Sequence, residues 1–321
     1  MIDNKLYIGI PTYNRWNELD RCLESLIRAH VFSEFAIELI VIIYDNNSVD
    51  RRSYEKVISN HLNGIKKIPK ISIEFFIQEK NIYFDGNYIS ILKLIPEGEY
   101  FWIIGDDDEF SINSLSIIKR FLKKNKPLFV QWYDLINGVA TGDSVYKPEI
   151  IHFETASDFL FNIKSTFYLS AMINIKNSEP IFFEGFTHYV YYVESIGRLG
   201  GCIFISERLI RHNIGLELYT KKWAFSWYGL LLKTYIYFFN CGISIDSLRV
   251  QFAENFLSKT SILSTLSTVS NLSSSEMRFI SENIDNLQFI KPHIRFILKL
   301  INLKFISLTF NCIRKIKNWR I

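Results

Sequence analysis

The chain has little cysteine, with four in 321 residues, and little methionine or proline, with three and seven. The cysteines, Cys22, Cys202, Cys241 and Cys312, lie far apart, form no CxxC pair and sit among apolar neighbours. That distribution argues against a zinc site or a disulfide scaffold and predicts buried thiols in a reducing compartment. A glycine-rich loop of GxGxxG or P-loop spacing is also missing after the first apolar run, which counts against a dinucleotide-binding or kinase-like cradle. Any phosphate bound here needs another counter-charge. No apolar stretch reaches the roughly 20 residues of a spanning helix; residues 221–243 come nearest, and Lys233 interrupts them. The opening MIDNKLYIGIP has no basic segment ahead of a signal-type apolar one, so the expectation is a cytoplasmic protein.

What is present is material for a large core. Hydrophobic residues make up 48% and aromatics 16% of the chain, enough for one large domain or two. The net charge of +4 hides an asymmetry. Beyond Asn286 there are eight basic residues and no acid, so the rest, drawn from totals of 37 basic and 33 acidic, is mildly acidic. Four apolar runs, residues 6–11, 37–45, 72–78 and 100–105, are rich in β-branched or aromatic residues and end in polar turns. Runs of that length and texture read as strands buried on both faces. Trp16, Leu19, Leu23, Leu26 and Ile27 recur at helical spacing after the first run, and residues 88–95 read as a second helix before the fourth. Strand alternating with helix predicts an α/β protein with a mostly parallel, Rossmann-like sheet flanked by helices. Its ligand crevice lies beyond the carboxyl ends of the strands.

Polar residues gather where that rule places the crevice. Pro11, Thr12, Tyr13, Asn14 and Arg15 follow the first strand, Asp45-Asn46-Asn47-Ser48 the second, and Asn81 the third. Gly86 and Asn87 lie just before the next helix, and Gly105-Asp106-Asp107-Asp108 closes the fourth strand. Each cluster alone reads as an ordinary polar turn; four together converge on one edge. Three consecutive aspartates repel one another, and a divalent cation would relieve that repulsion. The plainer reading of the aspartates is a cap for the helix that follows, compatible with the first because Ser111 or Asn113 can cap without three acids.

This ordered set resembles family-2 glycosyltransferases of the bacterial surface-polysaccharide type, similar to abequosyltransferase-like O-antigen enzymes. The match lies in roughly the first third of the chain. It implies the glycosyltransferase A fold, a nucleotide-sugar donor with UDP as default, inversion at the anomeric carbon, and Mg²⁺ or Mn²⁺. By that resemblance Thr12 and Asp45 contact the nucleotide. Asp106 and Asp108 are the ends of a DxD motif, the first toward the ribose and the last on the metal that bridges the diphosphate. Pro11, Tyr13, Asn14, Arg15, Asn81, Asn87 and Asp107 line the same donor site. Arg211 and His212 match a stretch that approaches the diphosphate and the metal; a solvated basic turn is the alternative. Family members carry an acidic pair as catalytic base about a dozen residues before a glycine and an edge strand. Here the glycine is Gly200 or Gly201 before CIFIS, and the pair is absent. His188 takes the position, with Glu194 and Glu184 as acidic alternatives and a structural histidine as the competing reading.

The chain divides on texture into residues 1–215, a catalytic domain, and residues 216–321, a helical C-terminal region. In the tail Ile290, Ile294, Ile297, Leu298, Ile301 and Phe305 fall near helical spacing, with Lys291, Arg295, Lys299 and Lys304 between them. An apolar face with basic flanks suits a helix lying on an anionic membrane surface, and its isoleucine and leucine content favours lipid over nucleic acid. An ordinary packing helix with solvated lysines is the alternative. The expectation is a peripheral protein at the inner face of the cell membrane, acting on a glycan carried by a polyprenyl diphosphate. Two other function classes stay open: a nucleotidyltransferase or phosphotransferase on a related sheet, and a non-catalytic glycan-binding partner.

Overall fold

β-Branched residues restrict the backbone toward extended conformations, and a run of them is most stable with both faces covered. In the computed structural model, which describes residues 5–130, 135–136, 139–140, 149–163, 169–207, 209–212, 231 and 233–252, the four apolar runs become strands. These are β1 (Lys5–Thr12), β2 (Glu38–Asp45), β3 (Ile71–Ile77) and β4 (Tyr100–Ile103). Strand β1 pairs in parallel with β2 and β4, and β2 in parallel with β3. The remaining strands are β5 (Asp108–Phe110), β6 (Leu128–Val130), β7 (Leu135–Ile136), β8 (Val139–Ala140), β9 (Ile150–Phe153), β10 (Met172–Ile175), β11 (Cys202–Ile205) and β12 (Ile210–His212). Eight strands form one sheet in the order β3-β2-β1-β4-β10-β6-β11-β9. Two ribbons, β5 with β12 and β7 with β8, stand apart from it.

The expected mostly parallel α/β sheet is what the chain builds, with two reversals. Strand β10 runs antiparallel between β4 and β6, and β9 runs antiparallel on the far edge. The CIFIS run, expected at an edge, is therefore internal: β11 has β6 on one side and β9 on the other. The reason is β9 itself. Its four residues are exposed except for Phe153, so they carry no buried-strand pattern to read.

Helices α1 (Trp16–Phe32), α2 (Arg51–Ile65) and α4 (Ser114–Lys119) bury one continuous core with Leu6, Ile8, Ile10, Val41, Ile43, Trp102 and Ile104. Leu19, Cys22, Leu23, Leu26 and Ala29 supply the buried stripe of α1 at the three- and four-residue spacing of one helix face. Helix α3 (Tyr83–Leu94) lies against β1 and β2, and α6 (Thr187–Arg198) against β10 and α3. Gly9 lets α3 approach: a Cβ there would stand 2.6 Å from Ile91 Cγ2 and 2.8 Å from Ile103 Cγ1.

The chain divides into two compact units, Met1–Phe159 with Thr166–Leu216, and Leu160–Ser165 with Glu217–Ile321. The first holds the sheets and α1 to α4 with α6. In the second, α7 (Ile245–Phe252) starts at Ser244, whose Oγ accepts the Ser247 N–H at 3.2 Å. Gln251 Nε2 donates to the Leu160 carbonyl at 2.7 Å. Helix α5 (Ala156–Asn162) follows β9 in the chain. Of the apolar stretch 221–243, Leu231 and residues 233–240 are helical. The basic tail, 286–321, lies outside the described residues. No helix among the described residues is long and apolar enough to cross a membrane.

Candidate active site

Parallel pairing brings the ends of neighbouring strands level. Thr12 stands opposite Asp45 in the β1–β2 register, and the Asn46 N–H extends the ladder to the Thr12 carbonyl at 2.9 Å. On the other side of β1, the Ile104 N–H reaches the Gly9 carbonyl at 2.9 Å and carries the chain into Asp106. Thr12 Oγ1 donates to Asp106 Oδ2 at 2.7 Å. Arg15, just ahead of α1, reaches back with one nitrogen to both acids, 3.2 Å to Asp106 Oδ1 and 2.9 Å to Asp107 Oδ2. Sequence reasoning placed Thr12, Arg15, Asp106 and Asp107 on one edge; the structure joins them in one hydrogen-bonded cluster.

The electrostatics of that cluster are poised. Burial pushes the Asp106 carboxyl up to about 7, with Arg15 pulling it down and the Asp107 charge adding to the rise. Burial works against the Arg15 cation too, and the Asp106 and Asp107 charges outweigh it, so its pKa is raised. Asp107 is the more open of the two acids, its side chain 17% exposed against 6% for Asp106.

The turns after β1 and β2 are stitched to each other. The Asn14 N–H donates to Ser48 Oγ at 2.7 Å, and Asn14 Oδ1 accepts the Val49 N–H at 2.9 Å. Asn14 and Asn47 both take left-handed backbone, φ 55° and 65°, which asparagine tolerates better than most residues. Asp45 is fully buried, and the Ser48 N–H donates to both its oxygens at 3.1 Å while Ser48 Oγ donates to Oδ1. Asn81 Oδ1 accepts from Asn46 Nδ2 at 2.9 Å and from the Tyr83 N–H at 2.8 Å, tying the start of α3 to the end of β2. Asn87 is buried and donates to the Tyr44 carbonyl at 2.9 Å. Pro11 is half-buried and the Tyr13 ring exposed.

Asp108 is placed differently from its two neighbours. It is 1% exposed, accepts the Gly105 N–H at 3.3 Å, and takes the Ser170 hydroxyl from a single 3-10 turn, Leu169–Ala171. The β5–β12 ribbon sets His212 opposite Asp108 and Arg211 opposite Glu109, with Arg211 exposed. The metal residues expected from sequence therefore divide: Asp106 faces Thr12 and Arg15, Asp108 faces Ser170, and His212 stands across the ribbon from Asp108. Among the described residues no group of three His, Cys, Asp or Glu side chains is arranged as a metal cage.

The candidate bases sit around α6. His188, in its first turn, is 6% exposed and ringed by Phe84, Tyr88, Phe186 and Tyr192 at centroid distances of 5.4 to 6.1 Å. Glu194 lies six residues on, about 240° around the helix axis, and pairs with Arg198 at 3.0 Å. Glu184 is exposed in the turn before α6. A residue that sequence reasoning passed over, Asp85, holds this end in place: its carboxylate accepts the Gly185 N–H at 2.6 Å and the Thr187 N–H at 3.1 Å. It caps α6 from α3, so no local capping pattern marks it. Tyr54 and Ser170 were missed for the same reason, each arriving from an element remote in sequence.

A family model described as Glycosyl transferase family 2 matches residues 7–179. Among curated proteins the chain is similar to abequosyltransferase RfbV of Salmonella typhimurium, 28% identical over 121 residues, 38% of this chain and 33% of the relative. It is also similar to the uncharacterized glycosyltransferase MG060 of Mycoplasma genitalium, 24% identical over 127 residues, 38% of each. The chain thus matches only 33% of the length of the first and 38% of the second. Among solved structures, S. aureus TarS 1-349 superposes with a TM-score of 0.62 at 15% identity, over 92% of this chain and 83% of that one. The same protein in complex with UDP-GlcNAc gives 0.59 at 14% identity, over 89% and 82%. At those identities the likeness is one of fold, and it agrees with the glycosyltransferase A architecture expected from the strand-end motifs.

Proposed function

Because the chain belongs to glycosyl transferase family 2, we propose that it moves a sugar, with inversion, from a nucleoside-diphosphate donor to a glycan acceptor in surface-polysaccharide synthesis. The observation that carries this reading is the cluster of Thr12, Arg15, Asp106 and Asp107 at the carboxyl ends of β1 and β4, level with buried Asp45. That is the crevice position at which open α/β sheets take nucleotides. Structural neighbours solved in complex with UDP and UDP-GlcNAc support a UDP-sugar as the default donor.

The residues fit a hard divalent cation, Mg²⁺ or Mn²⁺. Two adjacent carboxylates face one guanidinium, and burial already strains the charge on Asp106. Magnesium typically uses one or two protein carboxylates and lets substrate phosphates complete its shell, so the lack of a three-ligand cage among the described residues is compatible. One or two of the Asp106, Asp107 and Asp108 carboxylates would hold it, with His212 across the ribbon from Asp108; the ion would neutralise the leaving diphosphate. The other steps belong to the chain. Asp45 accepts a hydrogen bond from the nucleotide, oriented by Ser48. Thr12 and Arg15 fix the aspartates, and Arg211 meets the diphosphate. Pro11, Tyr13, Asn14, Asn81 and Asn87 shape the walls that hold the nucleotide. An imidazole nitrogen of His188, or the Glu194 carboxylate, takes the acceptor hydroxyl proton as oxygen bonds to the anomeric carbon and the bond to the diphosphate breaks. The aromatic ring around His188 keeps that step away from water.

The acceptor in this reading is a glycan on a polyprenyl diphosphate, reached from the cytoplasmic face of the membrane through the basic tail. Thermal stabilisation by a panel of nucleotide sugars, with and without Mn²⁺, tests the donor site. One donor should raise Tm with the ion present, by about 2.7 kcal/mol of added stability at 100 times its Kd. Asp107→Ala should abolish both that shift and transfer. Stabilisation unaltered in Asp107→Ala would remove the aspartates from donor binding.

A further inference from the structure

Resting on the donor-site reading above, we propose that Tyr54 is a positioning residue of that site, setting Thr12 and Arg15 and through them both aspartates. Tyr54 lies on α2, outside the strand-end motifs in sequence, and is 1% exposed. Its hydroxyl is 2.9 Å from Thr12 Oγ1 and accepts the Arg15 N–H at 2.6 Å. With Asp106 ionised, proton counting sets the direction of the first contact. Thr12 has one hydroxyl hydrogen and donates it to Asp106 at 2.7 Å. Tyr54 therefore donates to Thr12, giving a chain that runs from the Tyr54 hydroxyl to Thr12 Oγ1 to the Asp106 carboxylate. The phenol oxygen also holds the backbone of Arg15, whose guanidinium bridges Asp106 and Asp107.

One hydroxyl thus restrains both routes by which the β1 turn reaches the acids. Ser48, which orients Asp45, is a further neighbour of the same phenol. The ring does separate work: it stacks on Phe75 at 6.5 Å and 8° between planes. Helix α2 is pinned one turn earlier, where Asp50 accepts the Ser53 N–H at 3.2 Å. The hydroxyl is therefore delivered from a fixed element, not from a surface side chain free to choose rotamers.

The test compares Tyr54→Phe with Phe75→Leu in the full chain. The probe is whichever of UDP, GDP, CDP and dTDP with Mn²⁺ binds the wild type tightest. Tyr54→Phe keeps the ring and removes only the hydroxyl, so Tm without ligand should fall through the lost hydrogen bonds while the fold is kept. Nucleotide Kd should rise about tenfold, the scale expected when buried polar partners lose a hydrogen bond. Phe75→Leu should lower Tm and leave Kd near the wild-type value. Thr12→Val, alone and combined with Tyr54→Phe, should be less than additive, the double variant weaker than Thr12→Val only by the part that runs through the Arg15 N–H. Equal Kd in wild type and Tyr54→Phe overturns the proposal while leaving the donor site intact. A Kd that rises as much in Phe75→Leu assigns the effect to packing and also overturns it. A wild type that binds none of the four nucleotides removes the donor-site premise itself.

Discussion

At Asp106 the folded chain holds a carboxyl in a place that penalises its charge, and the sign of the resulting pH dependence can be worked out. The group's pKa rises from 3.8 unfolded to about 7 folded, chiefly through burial. Its contribution to stability is fully present below the unfolded value and is lost as pH rises toward the folded one. Asp106→Asn does not titrate there. Measured by thermal melts of the ligand-free protein, the variant should gain on the wild type between pH 5 and pH 8, while losing donor binding. A Tm difference that stays constant over that range would contradict the assignment. Such a trade of stability for function is common where charges are gathered for a ligand. The aspartates, Thr12 and Arg15 were legible in sequence because each closes a strand or follows one. Tyr54, Ser170 and Asp85 were not, since a hydrogen bond from a helix face 39 to 100 residues away leaves no mark on local spacing.

The elements follow the same logic one level up. Strands β1, β2, β3 and β4 were readable because burial on both faces selects unbroken apolar runs. Strands β9 and β10 were not: β9 is exposed at three of its positions, and the antiparallel direction of both is set by the neighbours they join. Helix α3 begins at Tyr83, several residues before its apolar stripe, because the Asn81 and Asn46 side chains fix its entry instead of a run of hydrophobic residues. The α3–sheet approach rests on one missing side chain. Gly9→Ala would drive a methyl group to within 2.6 Å of Ile91 and 2.8 Å of Ile103. Overpacking of this kind costs about 1–3 kcal/mol, to be read as a fall in the urea midpoint. Ile91→Ala in the same chain removes the Cγ2 methyl that is struck and should recover part of it.

For the whole molecule, the separation of charge along the chain is the feature with a consequence at that scale. A mildly acidic body and a tail with eight basic residues and no acid should respond to salt and lipid in different ways. The full chain should float with vesicles containing anionic lipid and release as salt rises. Replacing Lys291, Arg295, Lys299 and Lys304 by Gln should abolish flotation without altering nucleotide affinity. Equal flotation of both chains would take the tail out of membrane docking. Tail charge was plain from composition, whereas the pairing of the β1 and β2 turns needed coordinates. That pairing bears on how donor preference changes over generations. With Asn14 gripping Val49 and Ser48 gripping both Asn14 and Asp45, the two turns form one hydrogen-bonded part. Transplanting either alone from a sister enzyme should yield a misfitted hybrid, and only the exchange of both together should carry a new sugar nucleotide with it.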